Sequence, residues 1–326
     1  MNPTYIGALD IGGTKVAASV AHAGGPLARV TQATIKTGAE RAVADQAVAL
    51  LRAACRQARV APEAIHTVGV SSCGPFIRTE DGIAVVAPNL CGGSGAVGLP
   101  NDWQSIPLER VLREHFGTVA IANDCVAALI AERTFGAVQG EPNCAYVTWS
   151  TGIGFGLCVD GMVLRGKHGN AGHAGHMLLS EQSDALCGCG NRGDLEALVS
   201  GHNLELRFGR PARELFAAAA AGGSAERAVI AQAARWFGRA LYNLVAALDL
   251  RCFVIGGSVW THHAQWLTPL VQKEIDNHFP ILTQGVSVLP AALGVLVADI
   301  GAYCLVMPPE WVPAWRQTQP WRLLVP

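Results

Sequence analysis

The alternation of apolar and polar positions predicts strands at the start of the chain and helices after them. Apolar runs at residues 5–11, 16–22 and 27–36 are separated by short turns, which predicts antiparallel hairpins. Ala, Val and Leu then recur at helical spacing over residues 39–59, and a further strand is predicted at residues 68–72.

The next part of the first half is less regular. Residues 76–107 are rich in Gly, Pro and Asn and are predicted to be irregular. The pattern then predicts a helix at residues 106–116, a strand at 119–122 and a helix at 123–135.

The second half begins like the first. The passage YVTWSTGIGFGLCV has the outline of ALDIGGTKVAASV, with a strand at residues 145–149, a glycine-rich turn at 150–156 and a returning strand at 157–159. Two halves that start alike predict a duplicated α/β unit with a cleft between the copies.

The remainder of the second half alternates in the same way. A long amphipathic helix is predicted at residues 225–248, a strand at 253–255 and a helical stretch at 291–305. The tail, residues 307–326, contains Pro and three Trp without a period and is expected to pack on the surface.

Composition narrows the class of protein. A chain of 326 residues favours two domains, and half of its residues are hydrophobic. The formal net charge of −1 argues against a nucleic-acid binder, and no apolar run is long enough to span a bilayer. With no secretory signal, a cytoplasmic location is expected. The ten cysteines are scattered, which favours reduced thiols over a disulfide framework.

The segment GNAGHAGHMLLSEQSDALCGCGNRGDLE, residues 169–196, carries the most chemical information. Four of its side chains have the donor types and spacing of a tetrahedral zinc site: His176, Cys187, Cys189 and Asp194. A structural zinc is favoured over a catalytic one, because four protein ligands leave no open position. His173 and Glu196 lie beside these ligands and suit contacts with sugar hydroxyls, although a surface histidine is the alternative for His173.

Two glycine-rich turns suit phosphate binding. In DIGGTK, backbone N–H groups at Gly12 and Gly13 can converge on an anion, Thr14 adds a hydroxyl, and Asp10 can hold Mg²⁺ through water. An ordinary hairpin turn is the alternative, and a Walker A loop is excluded because no helix follows the glycines. STGIGFG is followed by a strand rather than a helix, which argues against a Rossmann fingerprint and for a second phosphate turn.

Two further motifs follow predicted strands. Gly256 and Gly257 would allow the close approach of an adenine or ribose. Asn123 and Asp124 open a predicted helix, so Asn123 is a good N-cap, and Asp124 is either part of a capping pair or a general base for phosphoryl transfer.

These motifs, taken in order, resemble the ROK family (repressors, open reading frames and kinases). The matching segments run from Ala8 to about Ala302: DIGGTK, VGVSSCGP, APNL, AND, STGIGFG, GNAGHAGH, CGCGNRGDLEALVSG, VIGGSV and ALGVLVADIGA. The resemblance implies a two-lobed, actin-like ATPase (ribonuclease H-like) α/β fold. We expect a small lobe at residues 1–122 plus about 300–326 and a large lobe at residues 123–299.

The resemblance also implies roles for single residues. Asp124 would be the catalytic base. Contacts with the sugar would come from Asn89, Asn123, His173, His176 and Glu196. ATP with Mg²⁺ would contact Asp10, Gly12, Gly13, Thr14, Lys15, Thr151, Gly152, Gly256 and Gly257. Zn²⁺ would bind His176, Cys187, Cys189 and Asp194.

The sequence departs from the family pattern at three places. His173 stands where the family usually has Glu, and a neutral imidazole can both donate and accept hydrogen bonds, whereas a carboxylate only accepts. Asp194 stands where the family usually has a third Cys, which predicts a weaker zinc site. The segment at residues 91–101 is longer than usual and is expected to overhang the sugar.

The resulting hypothesis is a cytoplasmic, ATP-dependent hexose kinase of the glucokinase type, acting on the 6-hydroxyl and forming a homodimer or homotetramer. A kinase for another sugar, such as N-acetylmannosamine, or for a cyclitol is the main alternative. A sugar-responsive DNA-binding regulator is disfavoured by the neutral charge and by a first strand that begins near Tyr5. A non-catalytic sugar-binding protein is disfavoured by the presence of Asp124 and both glycine turns.

Overall fold

Two five-stranded mixed sheets organise the chain, one in each of two compact units. The computed structural model describes residues 4–94 and 98–324. The first unit comprises Met1–Phe135, Arg165–Ala171 and Leu293–Pro326, and the second comprises Gly136–Leu164 and Gly172–Ala292.

The strands and helices are numbered in chain order. The strands are β1 Tyr5–Ile11, β2 Lys15–His22, β3 Gly25–Ala33, β4 Ile65–Ser72, β5 Phe76–Thr79, β6 Gly82–Val85, β7 Thr118–Asn123, β8 Cys144–Trp149, β9 Ile153–Val159, β10 Met162–Val163, β11 Cys252–Gly256 and β12 Ser287–Pro290. The α-helices are α1 Ala42–Ala58, α2 Leu108–Arg113, α3 Asp124–Phe135, α4 Leu195–Val199, α5 Gly201–Phe208, α6 Ala212–Ala220, α7 Ser224–Leu248, α8 Ser258–Asp276, α9 Pro280–Thr283, α10 Val297–Cys304 and α11 Val312–Thr318.

The two sheets share one topology. In the first unit the strand order is β3-β2-β1-β4-β7, and in the second it is β10-β9-β8-β11-β12. In each sheet two antiparallel pairings are followed by two parallel ones. This shared order is the duplicated α/β unit that the two similar sequence passages predicted.

The first sheet is covered on both faces, because successive side chains of a strand point to opposite sides. Leu9 and Ile11 of β1 pack in a core that includes Leu51 of α1. Ile6 and Ala8 of the same strand pack in a second core with α10. In the second unit, the sheet packs against α7 and α8 through a third core that contains Trp149.

The observed units differ from the lobes that were expected. Helix α3 belongs to the first unit, and the chain returns to this unit at Leu293 rather than at about residue 300. At the second boundary, the backbone N–H of Leu293 donates a 3.0 Å hydrogen bond to the buried Glu132 carboxylate of α3. A buried carboxylate needs such a donor, so α3 and the returning chain stay in one unit.

Two local predictions were wrong. Residues 76–107 contain the hairpin β5–β6, in which Phe76 and Val85 are buried. Strand β9 begins at Ile153 rather than at residue 157, because Ile153, Phe155 and Leu157 alternate with glycines and point into the core. The glycines hid this alternation from the sequence pattern.

The tail also differs from the expectation of surface packing. It forms α11 and two short 3₁₀ segments, and all three of its Trp side chains, Trp311, Trp315 and Trp321, are buried with Phe135 and Tyr303. Within residues 4–94 and 98–324, no helix combines the length and the apolar character needed to cross a bilayer.

Candidate active site

The carboxyl ends of three parallel strands lie in one row in the first unit. Ile11 of β1 pairs with Ser72 of β4, and Ser72 pairs with Asn123 of β7. The turn that follows β1 and the Asp124 carboxylate that follows β7 therefore emerge at the same edge of the sheet. In open α/β sheets, this edge is where ligands usually bind.

The turn after β1 is fixed by its own backbone and by Thr34, the residue that follows β3. The Gly12 N–H donates to the Lys15 carbonyl at 2.9 Å, and the Thr34 hydroxyl donates to the Gly12 carbonyl at 2.8 Å. A Cβ at Gly13 would lie 2.5 Å from the Asn89 amide nitrogen, so a larger residue there would displace the Asn89 side chain. This contact brings a predicted phosphate turn and a predicted sugar contact together. The side chains of Thr14 and Lys15 are exposed.

Asp10 lies in a cluster of carboxylates. Its pKa is raised to about 7, chiefly by burial and then by the negative charges of Asp299 and Asp124, and Lys15 and Arg29 only partly oppose this. Asp299 is held by two hydrogen bonds from Arg29, at 2.9 and 3.1 Å. A divalent cation would favour the ionised form of Asp10, which fits the predicted magnesium role.

Asn123 and Asp124 begin helix α3. The Asn123 amide oxygen accepts a 3.0 Å hydrogen bond from the Cys125 N–H, which is the capping geometry expected from the sequence. The Asp124 carboxylate accepts from the same N–H at 2.8 Å and is partly buried. The positive end of the helix dipole favours a carboxylate at this position.

Several residues near this edge were missed by the sequence analysis. The Cys73 thiol donates to the Asn89 amide oxygen at 3.8 Å, and the Lys36 ammonium donates to the Asn89 carbonyl. The Arg29–Asp299 pair completes the surroundings of Asp10. Cys73 and Asp299 lie inside the quoted motifs SSCGP and ADIGA, so only Lys36 and Arg29 had no motif to indicate them.

The two ends of the long segment at residues 91–101 are joined by hydrogen bonds. The Asn101 side chain accepts from the Gly92 N–H at 2.9 Å and donates to the Leu90 carbonyl at 3.1 Å. Residues 95–97, the middle of the segment that was expected to overhang a sugar, lie outside the described residues.

In the second unit, the four predicted zinc ligands lie close together. Their donor atoms are all within 4.8 Å of one another, in the group His176, Cys187, Cys189 and Asp194. The Asp194 carboxylate lies 3.3 Å from His176 Nδ1 and 3.5 Å from Cys189 Sγ, and Cys187 Sγ lies 3.6 Å from His176 Nδ1. Ligands at zinc–ligand distances of about 2.0–2.3 Å in a tetrahedron are about 3.3–3.8 Å apart. The donor types suit zinc, and these three separations fit a tetrahedral zinc site.

The protonation of this group also matters for metal binding. Burial alone would raise the pKa of Asp194, but hydrogen bonds from His176, the Ala197 N–H and Cys187 together lower it. The hydrogen bond to Asp194 raises the pKa of His176 against the effect of burial. A proton on His176 competes with a metal, so occupancy should fall in acid.

Glu196 connects this group to the second glycine turn. One carboxylate oxygen accepts from the Cys187 thiol at 3.5 Å, and the other accepts from the Ile153 N–H at 2.9 Å. A Cβ at Gly152 would lie 2.7 Å from Glu196 Oε2, so a larger residue there would displace the Glu196 carboxylate. The Asp194 side chain caps the same short helix α4 through the Ala197 N–H.

The remaining predicted residues of the second unit lie on the same strands or beside them. The exposed Thr151 follows β8, and Thr148 of β8 pairs with Gly256 at the end of β11, so the two glycine turns share one sheet edge. A Cβ at Gly257 would lie 2.4 Å from the Trp149 carbonyl. His173 is partly buried and precedes the 3₁₀ turn Ala174–His176, with its ring 6.2 Å from that of His176.

Comparison with known proteins identifies the family. The model of the ROK family matches residues 6–308. The chain belongs to the ROK family. The predicted resemblance and the α/β fold class are thereby confirmed, the latter also by solved ROK structures.

Curated ROK relatives carry kinase names. A glucokinase of Aeropyrum pernix is 31% identical over 267 residues, covering 74% of this chain and 79% of that protein. An N-acetylmannosamine kinase of Shigella boydii is 31% identical over 261 residues, covering 77% of this chain and 82% of that protein.

Solved ROK structures cover nearly the whole chain. A ROK hexokinase from Thermus thermophilus is 34% identical with a TM-score of 0.77, covering 92% of this chain and 97% of that one. A ROK family glucokinase from Streptomyces griseus, in complex with glucose and AMPPNP, is 27% identical with a TM-score of 0.64, covering 91% and 97%.

The raised pKa of Asp10 predicts a specific pH dependence of stability. The folded protein holds this proton more tightly than the unfolded chain does, so the free energy of unfolding should fall as pH rises from about 4 to about 7. The full effect of such a shift is about 4 kcal/mol. Urea unfolding in metal-free and nucleotide-free buffer should show a smaller fall for Asp10→Asn. The exposed Asp102 of the same unit provides the control Asp→Asn substitution, and identical pH profiles of all three proteins would contradict the assignment.

Proposed function

We propose that this protein is an ATP-dependent kinase that transfers the γ-phosphoryl group to the 6-hydroxyl of a hexose. The observation that carries the proposal is the Asp124 carboxylate, which begins α3 at the same sheet edge as the glycine turn after β1. The kinase names of the ROK relatives and the glucose and AMPPNP bound to one of them support it.

The proposed reaction uses few protein groups. Asp124 accepts the proton of the sugar hydroxyl while the hydroxyl oxygen attacks the γ-phosphorus. The bond to the β-phosphate oxygen breaks, and ADP leaves. Backbone N–H groups of the turn at Gly12 and Gly13, with Thr14 and Lys15, stabilise the phosphate oxygens in the first unit. Mg²⁺, held through Asp10, would supply charge neutralisation.

The first unit would hold sugar hydroxyls through two side-chain amides. Asn89 is exposed at the edge, and its amide is fixed by Cys73 and by contact with Gly13. The amide oxygen of Asn123 caps α3, so its Nδ2 is the group we assign to the sugar.

The second unit would supply the remaining contacts. His173, His176 and Glu196 are assigned to other sugar hydroxyls, Thr151 and Gly152 to phosphate, and Gly256 and Gly257 to the nucleoside. Since His176 Nδ1 faces Asp194 and Cys187, its other ring nitrogen is the one assigned to sugar.

A second acceptor is supported by specific observations. The Shigella boydii relative is named an N-acetylmannosamine kinase and is as similar in sequence as the glucokinase. His173 can donate a hydrogen bond where a carboxylate only accepts, which would change the preferred substituent at its end of the sugar. We therefore keep N-acetylmannosamine and cyclitols as alternative acceptors.

The base assignment predicts the effect of Asp124→Asn. The substitution removes the proton acceptor and keeps the shape, so kcat should fall about 10²- to 10⁴-fold with little change in sugar binding. ADP release over a panel of sugars, together with direct sugar-binding measurements, tests this. The exposed Asp102→Asn is the matched control. Near-normal turnover of Asp124→Asn would refute the assignment of Asp124 as the general base. Absence of turnover by the wild type on every sugar tested would refute the proposed kinase activity.

The position of His173 predicts a change in specificity. His173→Glu should reorder the kcat/KM values of glucose, mannose, N-acetylmannosamine and a cyclitol while leaving the KM for ATP within about two-fold, because one polar contact alters sugar discrimination. The exposed His66→Glu makes the same change of charge in the first unit and should leave the order intact. An unaltered order in His173→Glu would show that this residue does not contact the sugar.

The metal group predicts zinc in the purified protein. We expect about one zinc per chain, bound through the four ligands described above. Asp194→Asn keeps the helix-capping oxygen but removes the anionic ligand, so zinc affinity in chelator competition should fall at least about ten-fold. Asp184→Asn, in the same loop, is the control. Freshly purified wild-type protein without zinc would mean that this group is not a zinc site.

A further inference from the structure

Three adjacent strands of the second sheet each place a cysteine in the same row. Cys144 of β8 pairs directly with Cys158 of β9 and with Cys252 of β11. Residues that pair directly point to the same face of a sheet. The three thiols therefore lie side by side in the order Cys158, Cys144, Cys252.

This spacing limits which thiols can be joined. Neighbouring strands are about 4.8 Å apart, which is within the Cα separation of a disulfide, whereas the two outer strands are about 9–10 Å apart. Cys144 can therefore bond with either neighbour, but Cys158 and Cys252 cannot bond with each other. Each residue is at least 96% shielded from solvent: Cys144 and Cys158 are 0% exposed and Cys252 is 4% exposed.

The two neighbours of Cys144 are chemically different. A hydrogen bond from the Cys144 thiol lowers the pKa of Cys252 against the opposing effects of burial and of the Glu141 carboxylate, and the Arg251 guanidinium adds a smaller lowering. The Cys144 thiol also donates to the Glu141 carbonyl at 3.6 Å, and the Cys158 thiol donates to the Pro142 carbonyl at 3.3 Å. Burial raises the pKa of isolated thiols such as Cys55 and Cys304. Cys252 is therefore the member of the row most suited to form a thiolate, which is the reactive species.

We propose that Cys252 and Cys144 form a redox site, which closes to a reversible intramolecular disulfide on reaction with hydrogen peroxide. The row lies at the amino ends of β8 and β11, and the glycine turns follow the carboxyl ends of the same strands. The site is thus separate from the candidate active site and from the metal group.

The reaction balances in two steps. The Cys252 thiolate attacks one peroxide oxygen, so that an S–O bond forms, the O–O bond breaks, and hydroxide leaves and takes the proton of the Cys144 thiol as water. The Cys144 thiolate then attacks the Cys252 sulfur, the S–S bond forms, and the second hydroxide leaves and becomes water with a solvent proton. Two thiols are oxidised by two electrons, and one peroxide is reduced to two waters.

Peptide mapping tests the pairing, because the sequence separates the possible products. Trypsin cleaves after Arg133, Arg165, Arg251 and Lys273, so Cys144 and Cys158 share one peptide, residues 134–165, and Cys252 begins another, residues 252–273. Full-length protein is treated with hydrogen peroxide, blocked with N-ethylmaleimide and digested without reduction. We expect the two peptides to be cross-linked, and the cross-link to disappear after dithiothreitol.

A second digestion assigns the sulfur within the larger peptide. Chymotrypsin cleaves after Tyr146 and Trp149 and so separates Cys144 from Cys158. The cross-link should stay with the fragment that contains Cys144. A disulfide confined to residues 134–165, or peroxide-treated protein in which Cys252 is alkylated or carries only sulfinic acid, would overturn the proposal.

Variants give matched controls that need no assay of activity. Cys144→Ala should lose the cross-link and leave Cys252 to oxidise further, whereas Cys158→Ala and Cys55→Ala should keep it. Cooperative thermal unfolding checks that each variant is folded. If Cys144→Ala does not fold, the peptide maps of the wild-type protein alone test the pairing. The oxidised wild type should also unfold at a higher temperature than the reduced form, since the bond closes a loop of roughly a hundred residues. If the oxidised and reduced proteins unfold at the same temperature although the disulfide has been mapped, the expected stabilisation is contradicted.

Discussion

Parallel strand pairing is the constraint on which the candidate site depends. Parallel strands deliver their carboxyl ends to one edge of a sheet, so residues far apart in sequence emerge together. In the first unit, the register Ile11–Ser72–Asn123 brings the turn after β1 and the start of α3 to one edge. In the second unit, the pairing of Thr148 with Gly256 does the same for the two glycine turns. A shift of one residue would turn every buried side chain of a strand to the other face, so the cores fix this register.

Charge at the first edge is the second organising feature. The carboxylates of Asp299 and Asp124 raise the pKa of Asp10 there, and Arg29 forms an ion pair with Asp299. Burial and mutual repulsion together make the ionised state of Asp10 unfavourable without a further cation. This is the physical situation in which a bound divalent cation changes both stability and protonation, and it supports the proposed role of magnesium in handling ATP.

The second unit uses a different device to fix its side chains. Glu196 accepts hydrogen bonds from both the metal-ligand group and the strand that follows Gly152, and Asp194 both belongs to that group and caps α4. A metal at the four ligands would therefore hold the helix that carries Glu196. These shared polar contacts, together with the packing of Ala174 and Leu195 in the core, set the positions of the side chains in this loop.

The sequence by itself determined the duplicated α/β pattern, the long helices and the family, because apolar periodicity and ordered motifs are local properties of the chain. It also identified the four clustered metal donors, whose spacing within one loop leaves few other arrangements. It could not reveal the hairpin β5–β6, the early start of β9 or the burial of the tail, since glycines masked the alternation and Trp315 packs with residues from both ends of the chain. Only the tertiary structure reveals that Lys36 and Cys73 form hydrogen bonds with Asn89 and that Asp299 raises the pKa of Asp10. It also places three cysteines side by side on adjacent strands. These contacts join residues from separate elements, and only strand register and helix packing bring such residues together.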